Sequence, residues 1–191
     1  SGFVFSDGTG SPMKFSAQEE YGLRCILGLA RGQANIKKLV AGEPGAAVRN
    51  YPTVAEVSSQ EGISIQYVRK LFGLLAKAGL IEGVRGCKGG YQLSRPVEEI
   101  TVAEILQVLG GRLYESETCT RFAGDRKFCV HSNDCSLRSL WSGLQFILDG
   151  VLDKVTLKDL TGNERSMGEW IQFHSPEIPT LDFASGAKLE A

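Results

Sequence analysis

The segment TVAEVSSQEGISIQYVRKLFGLLAKAGLIEGVRGCKGGYQL, residues 53–93, changes its periodicity in a fixed order that few folds accommodate. Thr53 with Glu56 three residues on is a capping-box signal, so VAEVSSQE reads as a short helix that Gly62 breaks. A second helix begins after Ser64 and stops near Gly79, which suits a left-handed C-terminal cap. Ile65, Val68, Leu71, Phe72 and Leu75 fall on one of its faces, and Gln66, Arg69, Lys70, Gly73 and Lys77 on the other. LIEGVRGCKGGYQL then places β-prone ends around a glycine-rich tip carrying Arg85 and Lys88, the composition of a hairpin with a basic turn. Two short helices across a tight turn, followed at once by such a hairpin, predict a winged helix-turn-helix.

Charge supports that reading. The whole chain carries a formal net charge of only −1, but between residues 62 and 95 Arg69, Lys70, Lys77, Arg85, Lys88 and Arg95 face the single acid Glu82, a local excess of +5. Gln66, Tyr67, Arg69 and Lys70 open the second helix and are the candidates for the major groove of double-stranded DNA. Arg85 and Lys88 are the candidates for the minor groove or backbone. RGCKGG is not a phosphate-binding loop of the G-x-x-x-x-G-K-[ST] kind, and no helix is expected directly after it.

Elsewhere the signals are coarser. Ser16 with Glu19, and Leu23, Leu27 and Ala30 at helical spacing, predict a first helix from about Ala17 to Ala30. The stretch RGQANIKKLVAGEPGAAVRNYP that follows reads as an excursion rich in Gly, Ala and Pro. TVAE recurs at 101–104 and marks another helix start. Leu137, Leu140, Trp141, Leu144, Ile147, Leu148, Val151 and Val155 run down one long helical face, wider than a small winged helix needs to cover, which predicts a dimerisation helix. The fold expected is therefore mainly α with a small β-hairpin wing. With 191 residues, 42% of them hydrophobic, the chain can bury a core without disulfides. It has no apolar run long enough to span a membrane and no secretory signal pattern, so a cytoplasmic location and no membrane partner are expected.

Three of the five cysteines and one of the two histidines crowd into CTRFAGDRKFCVHSNDC, residues 119–135. In a reducing compartment that points to metal or redox chemistry more than to a disulfide framework. Cys25, on an apolar helix face, reads as core packing, and Cys87 at the wing tip as a surface thiol. Neither a nucleophile–base pairing nor a cofactor fingerprint is present, so an enzyme or electron carrier is the weaker reading.

FSAQEEYGLRCILGLA, then VAEVSSQEGISIQYVRKLFGLLAKAGLIEGVRGCKGGYQLSRPVEEITVAEILQVLGG, then the cysteine cluster and a helix beginning SLRSLW, resemble the winged-helix regulators typified by IscR and the nitric-oxide-sensing repressor NsrR, from Met13 to Leu160. The resemblance implies a homodimer with crossing C-terminal helices, an iron–sulfur cluster loop near the dimer interface, and an operator read by two winged helices. It carries Cys119, Cys129 and Cys135 over as cluster ligands, although the spacing here is C-x9-C-x5-C where well-known members have C-x5-C-x5-C. Members resembling IscR supply a fourth ligand from a His three residues after the last Cys; Arg138 stands there instead. In NsrR-like members an acidic residue of the partner subunit's first helix serves, and the matching position is Glu20, with His131 as the local alternative. A 2Fe–2S centre is favoured over 4Fe–4S. Zinc on three thiolates and His131 is the alternative, without the close C-x2-4-C pair usual for zinc. A repressor with a zinc or thiol switch and no cluster is the corresponding second function. Arg69 stands where IscR has a glutamate and would favour guanine.

The organisation expected is a foreign remnant or disordered segment at 1–12, a winged-helix domain at 13–110, the cysteine loop at 111–136, the dimerisation helix at 137–160, and a tail at 161–191 with no assigned role.

Overall fold

The computed structural model describes residues 15–42, 51–115, 117–131 and 133–174, with the side chains of 39–42 excepted. Residues 1–12, expected to be foreign or disordered, the middle of the Gly/Ala/Pro stretch, and the end of the tail lie outside them.

Helix α1 (Ala17–Gly42) begins with the anticipated box: the Ser16 amide donates to Glu19 Oε2 at 2.6 Å, and the Glu19 amide to Ser16 Oγ at 3.2 Å. It does not stop at Ala30 but runs twelve residues into the expected excursion. Tertiary contact overrides the local composition there. Gly32 lies so close to Pro52 that a Cβ would sit 2.8 Å from the proline ring, and Gln33 Oε1 accepts from the Leu93 amide at 3.3 Å.

Helices α2 (Val54–Glu61) and α3 (Ile65–Lys77) form the helix-turn-helix. Thr53 and Glu56 make a full capping box, Gly62 turns the chain at φ 66°, and Ser64 Oγ caps α3 by accepting from the Tyr67 amide at 3.3 Å. Beyond α3, Gly79 takes φ 75°; its amide donates to Ala76 O and that of Leu80 to Leu75 O, the paired bonds of a glycine-terminated helix end. Strands β1 (Ile81–Val84) and β2 (Gly90–Leu93) pair antiparallel in the register Ile81↔Leu93 to Val84↔Gly90. Helix α4 (Val102–Leu109) starts on the second capping box, Thr101 with Glu104.

One core gathers Cys25, Ile26 and Leu29 of α1, Val57 of α2, Val68, Leu71, Phe72 and Leu75 of α3, Ile81 of β1, and Ile105 and Leu109 of α4. Each large side chain fully buried there contributes about 1.5–3 kcal/mol. Cys25 is completely buried, as its apolar face implied; burial first, and Glu61 second, push its thiol up to about 12 against the opposing charge of Arg24, so it is inert packing.

A short helix α5 (Thr118–Arg121) interrupts the cysteine loop, and α6 (Ser136–Leu152) follows it. The long helix expected over 137–160 ends at Leu152. The chain then turns back: Val155 O accepts from the Val102 amide at 2.8 Å, the Leu157 amide donates to Ile100 O at 2.8 Å, and Thr156 with Asp159 caps a new turn, α7 (Leu157–Leu160). Val155 is therefore not on the α6 stripe but in a second core with Val102 and Leu106. The expected tail contains helix α8 (Glu164–His174), whose Met167 and Trp170 pack on that second core.

Candidate nucleic-acid interface and cysteine loop

Helix α3 is polarised by its own sequence. Val68, Leu71, Phe72 and Leu75 are buried, while Gln66, Arg69 and Lys70 are exposed. Ile65, expected on the apolar face, is 44% exposed, because the first residue of the helix overhangs the core. Tyr67 is half-buried, its ring edge-on to Tyr21 of α1 and 5.7 Å from Lys70 Nζ.

The wing is fixed to this helix from two sides. Phe72 of α3 meets Tyr91 of β2 with centroids 4.8 Å apart, and the Tyr91 amide donates to Pro52 O at 2.8 Å, just before α2. Gly90 permits that approach, since a Cβ there would stand 2.4 Å from Pro52 O. Arg85, Cys87 and Lys88 project from the tip, all exposed. A rigid unit thus presents exposed basic groups on a helix and on an adjoining hairpin tip, a surface suited to phosphates and base edges. Arg24 braces the other end of the unit, pairing with Glu61 Oε2 at 3.2 Å and donating to Glu61 O.

The cysteine loop lies between α4 and α6. Cys119 sits on α5, half-buried, with Tyr114 Oη 3.8 Å from its sulfur. Cys129 is half-buried between exposed Phe128 and Val130, and His131 is exposed. Cys135 is the N-cap of α6, its Sγ accepting from the Arg138 amide at 3.4 Å. All three thiols are free, and Glu20 is exposed on the first turn of α1. Among the described residues, no three His, Cys, Asp or Glu side chains of this single chain stand together as a metal site; His131 and Cys135 do line one hollow with Asp134. The donor chemistry nonetheless fits an iron–sulfur centre: three free soft sulfurs on one loop, two of them already within reach of N–H or O–H groups.

Three residues of this region, Gln145, Asp149 and Arg112, carry structure that no sequence motif marked. Gln145, 7% exposed, accepts from the Tyr114 amide at 3.0 Å and donates to Asp149 Oδ1 at 2.7 Å, and Asp149 pairs with Arg112. The loop is latched to α6 by this chain. A lone Gln inside the apolar run LQFIL was the available signal.

Gln145 is the one buried residue described on α6. Leu137 is 60% exposed, Leu140 50% and Trp141 38%, and Leu144, Ile147, Leu148 and Val151 are half-buried. A 360 Å³ groove between α4 and α6, lined in part by Phe15, Leu106, Leu113, Leu148 and Leu152, extends this apolar surface.

Residues 46–163 match the Rrf2 family, described as iron-dependent transcriptional regulator, and that span is more than half of the chain. The chain belongs to the Rrf2 family. Among its Rrf2-type relatives, the HTH-type transcriptional regulator IscR of Photorhabdus laumondii is 36% identical over 111 residues, 58% of this chain and 65% of that protein. IscR of Escherichia coli is 32% identical over 126 residues, 66% of this chain and 75% of that protein. The match therefore spans just under two thirds of the first relative's length. Among solved structures, CymR, the global cysteine regulator of B. subtilis, superposes with a TM-score of 0.57 at 26% identity, covering 78% of this chain and 96% of that one. T. potens IscR gives 0.56 at 24% identity, covering 87% and 94%, and shows the shared fold. The expected winged-helix class stands, and these relatives are transcriptional regulators, not enzymes. No described helix is long and apolar enough to cross a membrane.

Proposed function

We propose that this Rrf2-family chain is a cytoplasmic homodimeric transcription regulator that binds double-stranded operator DNA and senses redox state, iron–sulfur status or nitric oxide through an iron–sulfur cluster. The observation that carries the reading is the wing locked to α3, with Arg69, Lys70, Arg85 and Lys88 all exposed on one rigid unit. Gln66, Tyr67, Arg69 and Lys70 read the major groove, with Arg69 favouring guanine; Arg85 and Lys88 hold the minor groove or the backbone.

Cys119, Cys129 and Cys135 hold the cluster, 2Fe–2S in preference to 4Fe–4S, and Glu20 of the partner subunit completes the set, with His131 as the alternative fourth donor. When bound, the group supplies a one-electron, oxidant-sensitive centre. The chain's own part is mechanical. The loop that carries the thiols runs directly into α6 through Cys135, and α6 bears the uncovered apolar face on which a second copy packs. Ordering that loop biases the spacing of the two winged helices.

The test has two arms. Gel-shift titrations across a salt series should show Arg85→Ala weakening binding and flattening the salt slope by about one phosphate contact; an unchanged series removes the wing from the interface. Strictly anaerobic purification should give coloured protein containing iron and sulfide, with each of Cys119→Ala, Cys129→Ala and Cys135→Ala abolishing the absorbance in a folded dimer. Glu20→Ala should shorten cluster lifetime in air while His131→Ala leaves it unchanged. A colourless, zinc-containing preparation from iron-replete cells supports the zinc or thiol-switch repressor instead.

A further inference from the structure

Tyr114 is held in place more firmly than a loop residue requires. Its amide donates to the buried Gln145 Oε1 at 3.0 Å, and Gln145 is itself fixed by Asp149, which pairs with Arg112, so the main chain at Tyr114 is clamped to α6. The phenol ends 3.8 Å from Cys119 Sγ. Cys119 is braced in turn: Thr118 Oγ1 accepts from the Glu115 amide at 3.2 Å, the Thr118 amide donates to Glu115 O at 3.0 Å, and Arg121 pairs with Glu115 at 3.6 Å, fixing α5 one turn from the ring. Both ends of the contact between the Tyr114 oxygen and the Cys119 sulfur are therefore set by independent hydrogen bonds.

A phenol keeps its proton at neutral pH, so the Tyr114 hydroxyl, 3.8 Å from Cys119 Sγ, has a hydrogen to donate. A sulfur bonded to iron carries partial negative charge and accepts such a bond. An O–H donor draws charge off the sulfur, which favours the reduced, more negative state of the centre. Cys135 has a backbone donor of the same kind in the Arg138 amide. Of these two contacts only the one to Cys119 comes from a side chain, and so only that one can be removed by substitution without altering the backbone.

We propose that Tyr114 is a positioning residue that donates a hydrogen bond to the Cys119 thiolate and raises the reduction potential of the cluster. The inference rests on the reading of Cys119 as a cluster ligand.

Tyr114→Phe keeps the ring and the amide bond to Gln145 and removes only the O–H. The full chain, wild type and variant, is loaded anaerobically and titrated with dithionite for its one-electron midpoint potential, and the iron–sulfur stretching bands are recorded by resonance Raman in H2O and D2O. The variant should load cluster, show a midpoint displaced to lower potential, and show bands moved to higher frequency with a smaller solvent-deuterium shift. A packing role alone would leave the deuterium shift intact. Tyr114→Phe with wild-type potential and wild-type bands overturns the proposal while leaving the cluster reading standing. A wild type without iron and sulfide, or a Cys119→Ala protein that keeps wild-type absorbance, overturns the ligand reading, and the proposal falls with it.

Discussion

Tyr21 of α1 and Tyr67 of α3 meet edge to face, with ring centroids 6.0 Å apart and planes at 89°. Arg24 lies 5.6 Å over the Tyr21 ring and Lys70 5.7 Å over that of Tyr67, so the contact ties the first helix to the basic face of the helix-turn-helix. Tyr21→Ala should cost about 0.5–1.5 kcal/mol beyond the area it uncovers. It should also lower operator affinity by freeing Tyr67. Chemical unfolding and gel shift on the same variant check both; an unchanged midpoint with unchanged affinity assigns the pair no role.

Gly90 and Gly73 should respond to alanine with opposite signs. A Cβ on Gly90 would stand 2.4 Å from Pro52 O and 2.8 Å from Tyr51 O, backbone atoms that cannot step aside, whereas none would be met within 4 Å at Gly73, exposed in the middle of α3. Gly90→Ala should lose about 1–3 kcal/mol, by analogy with overpacking, and detach the wing. Gly73→Ala should gain about 0.5–1 kcal/mol from helix propensity. Thermal melts of the two variants decide it.

Glu104 gives the fold an acid-sensitive contact. Burial works to raise its carboxyl, but the Thr101 amide, Arg95 and the Thr101 hydroxyl together outweigh it and hold the group below its ordinary value of 4.5. A carboxyl depressed on folding stabilises above its unfolded pKa and loses that contribution as pH falls through the folded one. Glu104→Gln should therefore be less stable than wild type at neutral pH, and the gap should close as pH drops below the carboxylate range. Thr101→Ala, which removes the cap itself, should cost about 1 kcal/mol at neutral pH. Urea unfolding at a series of pH values separates the two; a gap for Glu104→Gln that stays constant with pH contradicts the charge argument.

Leu140 is half exposed in the single chain, so a charge there costs the monomer little. Leu140→Glu should shift the protein to a monomer by sedimentation while its far-ultraviolet circular dichroism stays helical. A dimer of undiminished strength would place the association surface elsewhere.

The helix-turn-helix and wing were legible because their signals are local. Thr53 with Glu56, Gly62, Ser64 and Gly79 each act through hydrogen bonds spanning three to five residues, and all four positions do what their residue types predict. The burial of Cys25 followed from the period of α1 in the same way. The misreadings share the opposite cause. Residues beyond Ala30 remain helical because Gln33 reaches Leu93, sixty positions away, and the helix ends at Leu152 because Val155 and Leu157 bond back to the strand-like entry of α4. A nearby signal for that second break existed in Thr156 and Asp159, a further capping box of the same kind as those at Ser16, Thr53 and Thr101.

The sequence by itself determined which residues end and begin the short helices, which face of α3 is apolar, and that three thiols share one loop, since caps, periodicity and spacing are properties of neighbouring residues. Only the tertiary structure decided that the wing is bolted to Pro52 and Phe72, that Gln145 latches the cysteine loop to α6, and that α6 leaves its apolar face uncovered. Those facts depend on pairs separated by tens of residues. No local pattern encodes which partner a buried amide finds once the core has closed, because the choice is made by the satisfaction of every buried polar group at the same time.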